Sequence, residues 1–173
     1  MKKIFVIAIL ALMTVTASAQ LITSSRVSRG EKAHNWWVDL GAGGFTGDVE
    51  DMGLGLDLGI RYTKMWGNFG WDVLKVSAQT PTKHFEAENI DFQLKTGFRY
   101  ISHPITNNIK IYGNVAAGFW ADIDNNPPTF LVWEIGAGAM LNDRVSVGIV
   151  FNNHDYKGDV NVGYLAGRIS FAL

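Results

Sequence analysis

From Met52 to Tyr62 the chain reads MGLGLDLGIRY, and its apolar residues fall on every second position. Met52, Leu54, Leu56, Leu58, Ile60 and Tyr62 share one parity; Gly53, Gly55, Asp57, Gly59 and Arg61 share the other. Successive side chains of a β-strand point to opposite sides, so this run predicts a strand with one oily face and one face of glycine and charge. Wound as a helix, the same residues would put Asp57 or Arg61 among the leucines. The run from Ile90 to Tyr100 repeats the design, with Ile90, Phe92, Leu94, Phe98 and Tyr100 set against Asp91, Gln93, Lys95, Gly97 and Arg99. A tilted strand of about 9–11 residues crosses the hydrocarbon core of a bilayer.

The same alternation predicts eight strands: residues 36–45, 52–64, 69–79, 89–100, 109–121, 130–141, 144–152 and 160–171. In the third strand the parity slips at Val73-Leu74, where one extra residue in a β-bulge would exchange the faces. Gly67-Asn68 and Asn142-Asp143 read as tight hairpin turns, and residues 102–108, with Pro104, join the fourth strand to the fifth. The remaining connections, 47–51, 80–87, 122–129 and 153–159, are on average longer and more polar. Short turns at one end and long connections at the other suit an eight-stranded antiparallel up-and-down transmembrane β-barrel, with both termini at the short-turn, periplasmic end.

A soluble antiparallel sheet also alternates, and a secreted soluble barrel that binds a ligand would turn its oily face inward. Three features favour oily-out. The polar parity mixes glycine with both signs of charge, which suits a narrow lumen plugged by side chains. Asp39, Asp57, Asp72, Asp91 and Glu134 there meet Arg61, Lys75, Lys95, Arg99, Lys110, Arg144 and Arg168. Aromatic residues gather near strand ends, Trp36, Tyr62, Trp66, Trp71, Tyr100 and Phe171 at one rim and Phe119, Phe130, Trp133 and Phe151 toward the other, as in the two girdles of a membrane barrel. No strand carries the long unbroken apolar run of an inner-membrane helix.

The rest of the chain fits export. Lys2 and Lys3, the apolar run Ile4 to Met13, and Ala17-Ser18-Ala19 form the three parts of a cleavable secretory signal over residues 1–19. Residues 20–35 then form a polar periplasmic lead-in and 36–173 the barrel. The 173 residues hold 15 bases and 16 acids; cleavage removes two lysines and leaves a net charge of −3. No basic stripe points to nucleic acid. The absence of cysteine excludes disulfides, thiolate metal sites and a cysteine nucleophile.

Signal peptide, eight alternating strands and an aromatic at Phe171 resemble the small, porin-like, eight-stranded outer-membrane barrel family typified by outer membrane proteins A and X. The likeness covers roughly the whole mature chain and rests on pattern. One departure is that such barrels usually end on the aromatic residue that the outer-membrane assembly machinery is thought to read, whereas here Leu173 is last. The resemblance implies an outer-membrane location in a Gram-negative envelope, contact with outer-membrane lipid and lipopolysaccharide, and handling by that machinery.

Catalytic chemistry has thin support. His34 and His103 read as solvated, and His84 and His154 are placed in outer loops near Glu86 and Asp155. A histidine–carboxylate pair is what activation of a hydroxyl requires. Barrel enzymes that acylate or deacylate lipid A use rim histidines with serine, and the deacylases carry His-x-Ser-Asn near the end of the seventh strand. Here His154-Asp155-Tyr156-Lys157 lacks the serine, and Ser77 is the nearby alternative. The segment from Asp122 to Asn126 fails as a calcium loop, because Pro127 stands at the glycine position and Trp133 at the glutamate position. No metal or cofactor is expected. The outer loops are acidic (Asp48, Glu50, Asp51, Glu86, Asp122, Asp124, Asp155 and Asp159 against Lys83 and Lys157) and offer a surface for an unknown partner. The expectation is a non-enzymatic surface or structural protein with a plugged lumen. A lipid-modifying enzyme, a narrow solute channel and a soluble carrier are the rivals.

Overall fold

The computed structural model describes residues 35–47, 53–83, 90–106, 108–122, 130–141, 143–156 and 160–173. The predicted signal sequence, all of the predicted lead-in before residue 35, and His84 with Glu86 lie outside the described residues. Eight strands follow one another: β1 (Asn35–Gly47), β2 (Leu54–Trp66), β3 (Phe69–Pro81), β4 (Asp91–Ile101), β5 (Ile109–Asp122), β6 (Phe130–Leu141), β7 (Val145–Tyr156) and β8 (Val160–Ala172). Each pairs antiparallel with the next, and β8 returns to β1 to close the barrel. Closure satisfies every ladder without an exposed edge, the condition for strands in lipid.

The faces are inverted relative to a soluble protein. Leu54, Phe98, Phe119, Leu131 and Ile149 point outward and are each at least 60% exposed, while Asp72, Lys75, Lys95 and Glu134 are at most 2% exposed. An apolar exterior around a charged interior is stable only where the surroundings are oily. Aromatic pairs mark both rims. At the short-turn end Trp36 packs on Tyr62 at 5.0 Å and Phe69 on Tyr100 at 5.2 Å; at the other end Trp133 packs on Phe151 at 5.4 Å.

The parity slip in β3 is a bulge. Tyr62 pairs with Leu74 and Thr63 with Asp72, so Val73 has no partner in this ladder. The extra residue lets Asp72 and Lys75, of opposite parity, both face the lumen. Glycine admits the curvature of so small a ring. A Cβ on Gly148 would run into the Ala137 carbonyl and the Tyr112 hydroxyl, and one on Gly138 would sit 2.9 Å from the Tyr112 ring, so that ring lies across a paired glycine floor. At the β2–β3 turn Gly67 adopts φ 62°, a left-handed conformation that glycine takes without strain.

Most strand ends shift by one or two residues from the sequence reading, and the two ends of β7 bear on the site. β7 continues to Tyr156, beyond the expected end at 152. Asn152-Asn153-His154-Asp155 is polar enough to read as a loop, but alternate positions face a polar lumen, where such residues are at home. β7 also begins at Val145, leaving Arg144 in the turn behind Asp143, whose φ is 57°.

Candidate functional site

The lumen is the one place where the described residues gather chemically versatile side chains. Every second residue of each strand points into it, so its contents follow from strand parity and barrel closure. Four acids, Asp39, Asp57, Asp72 and Glu134, and five bases, Arg61, Lys75, Lys95, Arg99 and Arg168, are buried there.

Glu134 of β6 is the hub. Its Oε1 accepts from the Lys75 ammonium, from Arg168 Nη1 at 3.1 Å and from Asn114 Nδ2 at 3.0 Å. Its Oε2 accepts from Lys95 Nζ at 2.8 Å. Arg168 turns its other side to Asp57, with Nε donating to Oδ2 at 3.0 Å and Nη2 closer still. Lys95 also donates to Gln93 at 2.7 Å and Asn152 at 2.9 Å, and Gln93 passes its own amide hydrogen to Gln79 at 2.9 Å. Five strands thereby meet at one carboxylate, across the full width of the bore.

A second layer lies toward the short-turn end. Arg99 Nη2 pairs with Asp72 at 3.2 Å, and Thr63 donates to the same carboxylate at 2.7 Å. Asp39 faces Arg61 Nη2 at 3.4 Å and Lys75 Nζ at 4.0 Å. Both arginines are backed by aromatic rings, Arg61 over Trp37 at 5.0 Å and Arg99 over Tyr112 at 4.9 Å. Toward the long-connection end the filling becomes aromatic and apolar. Phe45 and Tyr164 pack at 5.2 Å, with Val150, Val162 and Ala166 around them, and the Tyr164 hydroxyl donates to the Gly55 carbonyl at 3.0 Å. Charges this deeply buried persist where opposite charge and hydrogen bonds both answer them.

Of the twelve residues assigned to the lumen from sequence, nine are buried in this network. Asp91 lies near the long-connection mouth, its side chain 21% exposed. Lys110 lies at the short-turn mouth, pairing with Asp143 at 2.5 Å. Arg144 is a correction: the turn holds it outside the barrel wall, and it is exposed. Parity alone aligned it with inward-facing Ser146. Reading charges passed over the neutral members Thr63, Gln79, Gln93, Asn114 and Asn152. Their signal was available, since each shares parity with a lumen charge on its own strand or with the buried Ser146.

The histidine reading also changes. His154 is an inward-facing residue of β7, 1% exposed, with its ring 4.7 Å from that of Trp120 and its Nε2 3.8 Å from Asp91 Oδ2. It is therefore a lumen residue and not a solvated loop histidine. Ser77, the candidate nucleophile, is buried and donates to Gln93 at 3.5 Å. Histidine and carboxylate are thus brought near each other, while the described partner of the Ser77 hydroxyl is an amide. Among the described residues no group of three or more histidines and acids is placed to hold a metal ion.

No protein-family model matches the chain, and no curated protein matches its sequence. Solved structures match its fold. The outer membrane enzyme PagL superposes with a TM-score of 0.57 at 15% identity, covering 78% of this chain and 98% of PagL. Neisserial surface protein A gives 0.57 at 10% identity, covering 83% of this chain and 99% of that one. A de novo designed transmembrane β-barrel gives 0.51 at 15% identity, with coverages of 83% and 98%. At these identities the likeness is one of fold: the chain is a small eight-stranded transmembrane β-barrel of the architecture found in outer-membrane proteins. No sequence match singles out the A or X type. An enzyme and a surface protein share this scaffold equally, so function has to be argued from side chains.

Proposed function

We propose that this protein is a non-enzymatic outer-membrane barrel whose lumen is a sealed polar core and whose long-connection end meets lipopolysaccharide or an external partner. The observation that carries this reading is the convergence of Lys75, Lys95, Arg168 and Asn114 on Glu134, which closes the bore with mutually satisfied groups. An open ion path needs solvated charge along a continuous channel; here the charges are spent on one another. The test is a planar-bilayer recording of the refolded mature chain. The reading expects no conductance steps from the wild type. It expects steps from a Lys75→Ala, Glu134→Ala, Arg168→Ala triple variant whose barrel formation is verified by gel mobility. Regular steps from the wild type would make it a channel.

A second reading, a lipid-modifying enzyme, has one observation in its favour: His154 and Asp91 lie 3.8 Å apart near the mouth expected to face outward. Against it stands the want of a hydroxyl nucleophile beside His154 among the described residues. Lipid A from cells carrying wild type, His84→Ala or His154→Ala should be identical by mass spectrometry. A change in acyl composition that disappears with either variant would establish the enzyme instead.

A further inference from the structure

At the short-turn end, beneath the Glu134 network, the lumen opens into a blind cavity of about 360 Å³. Its floor is Arg99. The Nε and Nη2 of that guanidinium go to Asp72, and the ring of Tyr112 backs it at 4.9 Å. Its Nη1 has no hydrogen-bond partner, although the residue is 4% exposed. The walls are mixed: Trp37, Met65, Ile101 and Met140 stand beside Thr63, Asn68, Ser102 and His103, and the Lys110–Asp143 pair also lines the cavity. The connection that forms one wall is pinned in place. Ile101 N donates to Asn68 O at 2.7 Å, Ser102 N to Ile111 O at 2.8 Å and Ile105 N to Ile109 O at 2.8 Å. The hollow is therefore preformed.

We propose that this cavity is a binding site for a small organic monoanion, an aromatic or branched carboxylate, whose carboxylate meets the Arg99 guanidinium and whose apolar body lies between Trp37, Met65 and Met140. A buried N–H group without an acceptor marks a position where an acceptor is favoured. A guanidinium edge suits a planar carboxylate better than a spherical ion. The size is that of an ordinary small-ligand pocket, which commonly falls at about 300–1,000 Å³. The sealed floor limits the ligand to a compact body and excludes a long acyl chain. Lys110 is held by Asp143 and Arg99 is held on one side by Asp72, so the unpartnered Nη1 leaves a place for one carboxylate. This inference stands apart from the proposed function, since it requires neither a sealed bore under voltage nor a surface partner.

The test is equilibrium dialysis of 2-naphthoate against the refolded mature chain, Gln20 to Leu173, in phosphatidylcholine nanodiscs, with empty discs as the reference. Saturable binding of one naphthoate per barrel is expected, with no saturable binding of neutral 2-naphthamide or inorganic phosphate. Met140→Trp fills the cavity while leaving Arg99 in place and should abolish binding. Arg99→Lys keeps a cation beside Asp72 but removes the planar fork, and should weaken binding about tenfold or more. Both variants are accepted only if the unboiled protein migrates as a folded barrel. Uptake no greater than in empty discs, equal binding of the amide, or unchanged binding by folded Met140→Trp or folded Arg99→Lys would each overturn the proposal. If neither variant folds, the wild-type preference for naphthoate over naphthamide and phosphate still decides it.

Discussion

Thr96, on the outer wall of β4, donates its hydroxyl to the main-chain carbonyl of Asp72 in β3, 3.0 Å away. That carbonyl lies beside the Val73 bulge, where the β3–β4 register breaks between Asp72 and Lys75. In hydrocarbon no water replaces a lost ladder bond, so a side chain supplies it. Trp71 Nε1 in turn donates to the Thr96 oxygen at 2.9 Å. Thr96→Val keeps the shape and removes both bonds, and should destabilise the barrel by about 1–2 kcal/mol. Thr96→Ser should retain most of the stability. Urea unfolding in micelles, followed by tryptophan fluorescence, compares the two, and equal midpoints would show that the hydroxyl does not matter.

Glu134 answers three cations at once, so its loss should be felt more than that of any single partner. Glu134→Gln is expected to cost about 3–5 kcal/mol, because it leaves buried positive charge uncompensated. Adding Lys75→Met removes one of those charges and should restore part of the stability. A double-mutant cycle on the urea midpoints reads the coupling, and strict additivity would contradict the hub arrangement.

Glycines on the two faces of the wall should respond differently. Gly148 faces the Tyr112 hydroxyl and abuts the Ala137 carbonyl of the neighbouring strand β6, and Gly148→Ala should lower stability by about 1–3 kcal/mol through overpacking or prevent closure. Gly113 faces lipid, where an added methyl group would lie 3.8 Å from the Gly136 carbonyl, and Gly113→Ala should leave stability unchanged. Gel mobility and urea midpoints of both variants decide the matter.

The closed ring also predicts behaviour in detergent. The refolded segment from Gln20 to Leu173 should need detergent for solubility and show β-type circular dichroism. Its unboiled band on a denaturing gel should migrate differently from its boiled one. Detergent-free solubility with no band shift would contradict an apolar exterior.

Strand parity made most of this architecture legible in the sequence. Period-two alternation is a local property, and a barrel wall with oil on one side and a packed lumen on the other preserves it from rim to rim. The Val73 bulge was visible for the same reason, because Trp71 and Leu74 disagree in parity. Arg144 and His154 show where the signal stops. Parity says which face a residue would take within a strand and not where the strand ends. Arg144 falls just outside β7, behind a left-handed Asp143, and His154 just inside it. The hub role of Glu134 was hidden for another reason: its partners Lys75, Lys95, Asn114 and Arg168 lie on four other strands and meet only when the ring closes.

The seam between β1 and β8 carries a kinetic consequence. It pairs Trp37 with Ala172 and runs to Gly47 with Val162, and Leu173 N donates to Trp36 O at 2.8 Å beyond it. Every other ladder joins neighbours in sequence, whereas this one joins the two extremes of the barrel. Its loop-closure entropy is the largest in the molecule, and contacts of such high order form slowly. Until they form, β1 and β8 are two bare edges with unsatisfied amides, able to template pairing with another chain. The longer that open ring lasts, the more time its two edges have to pair with the wrong chain.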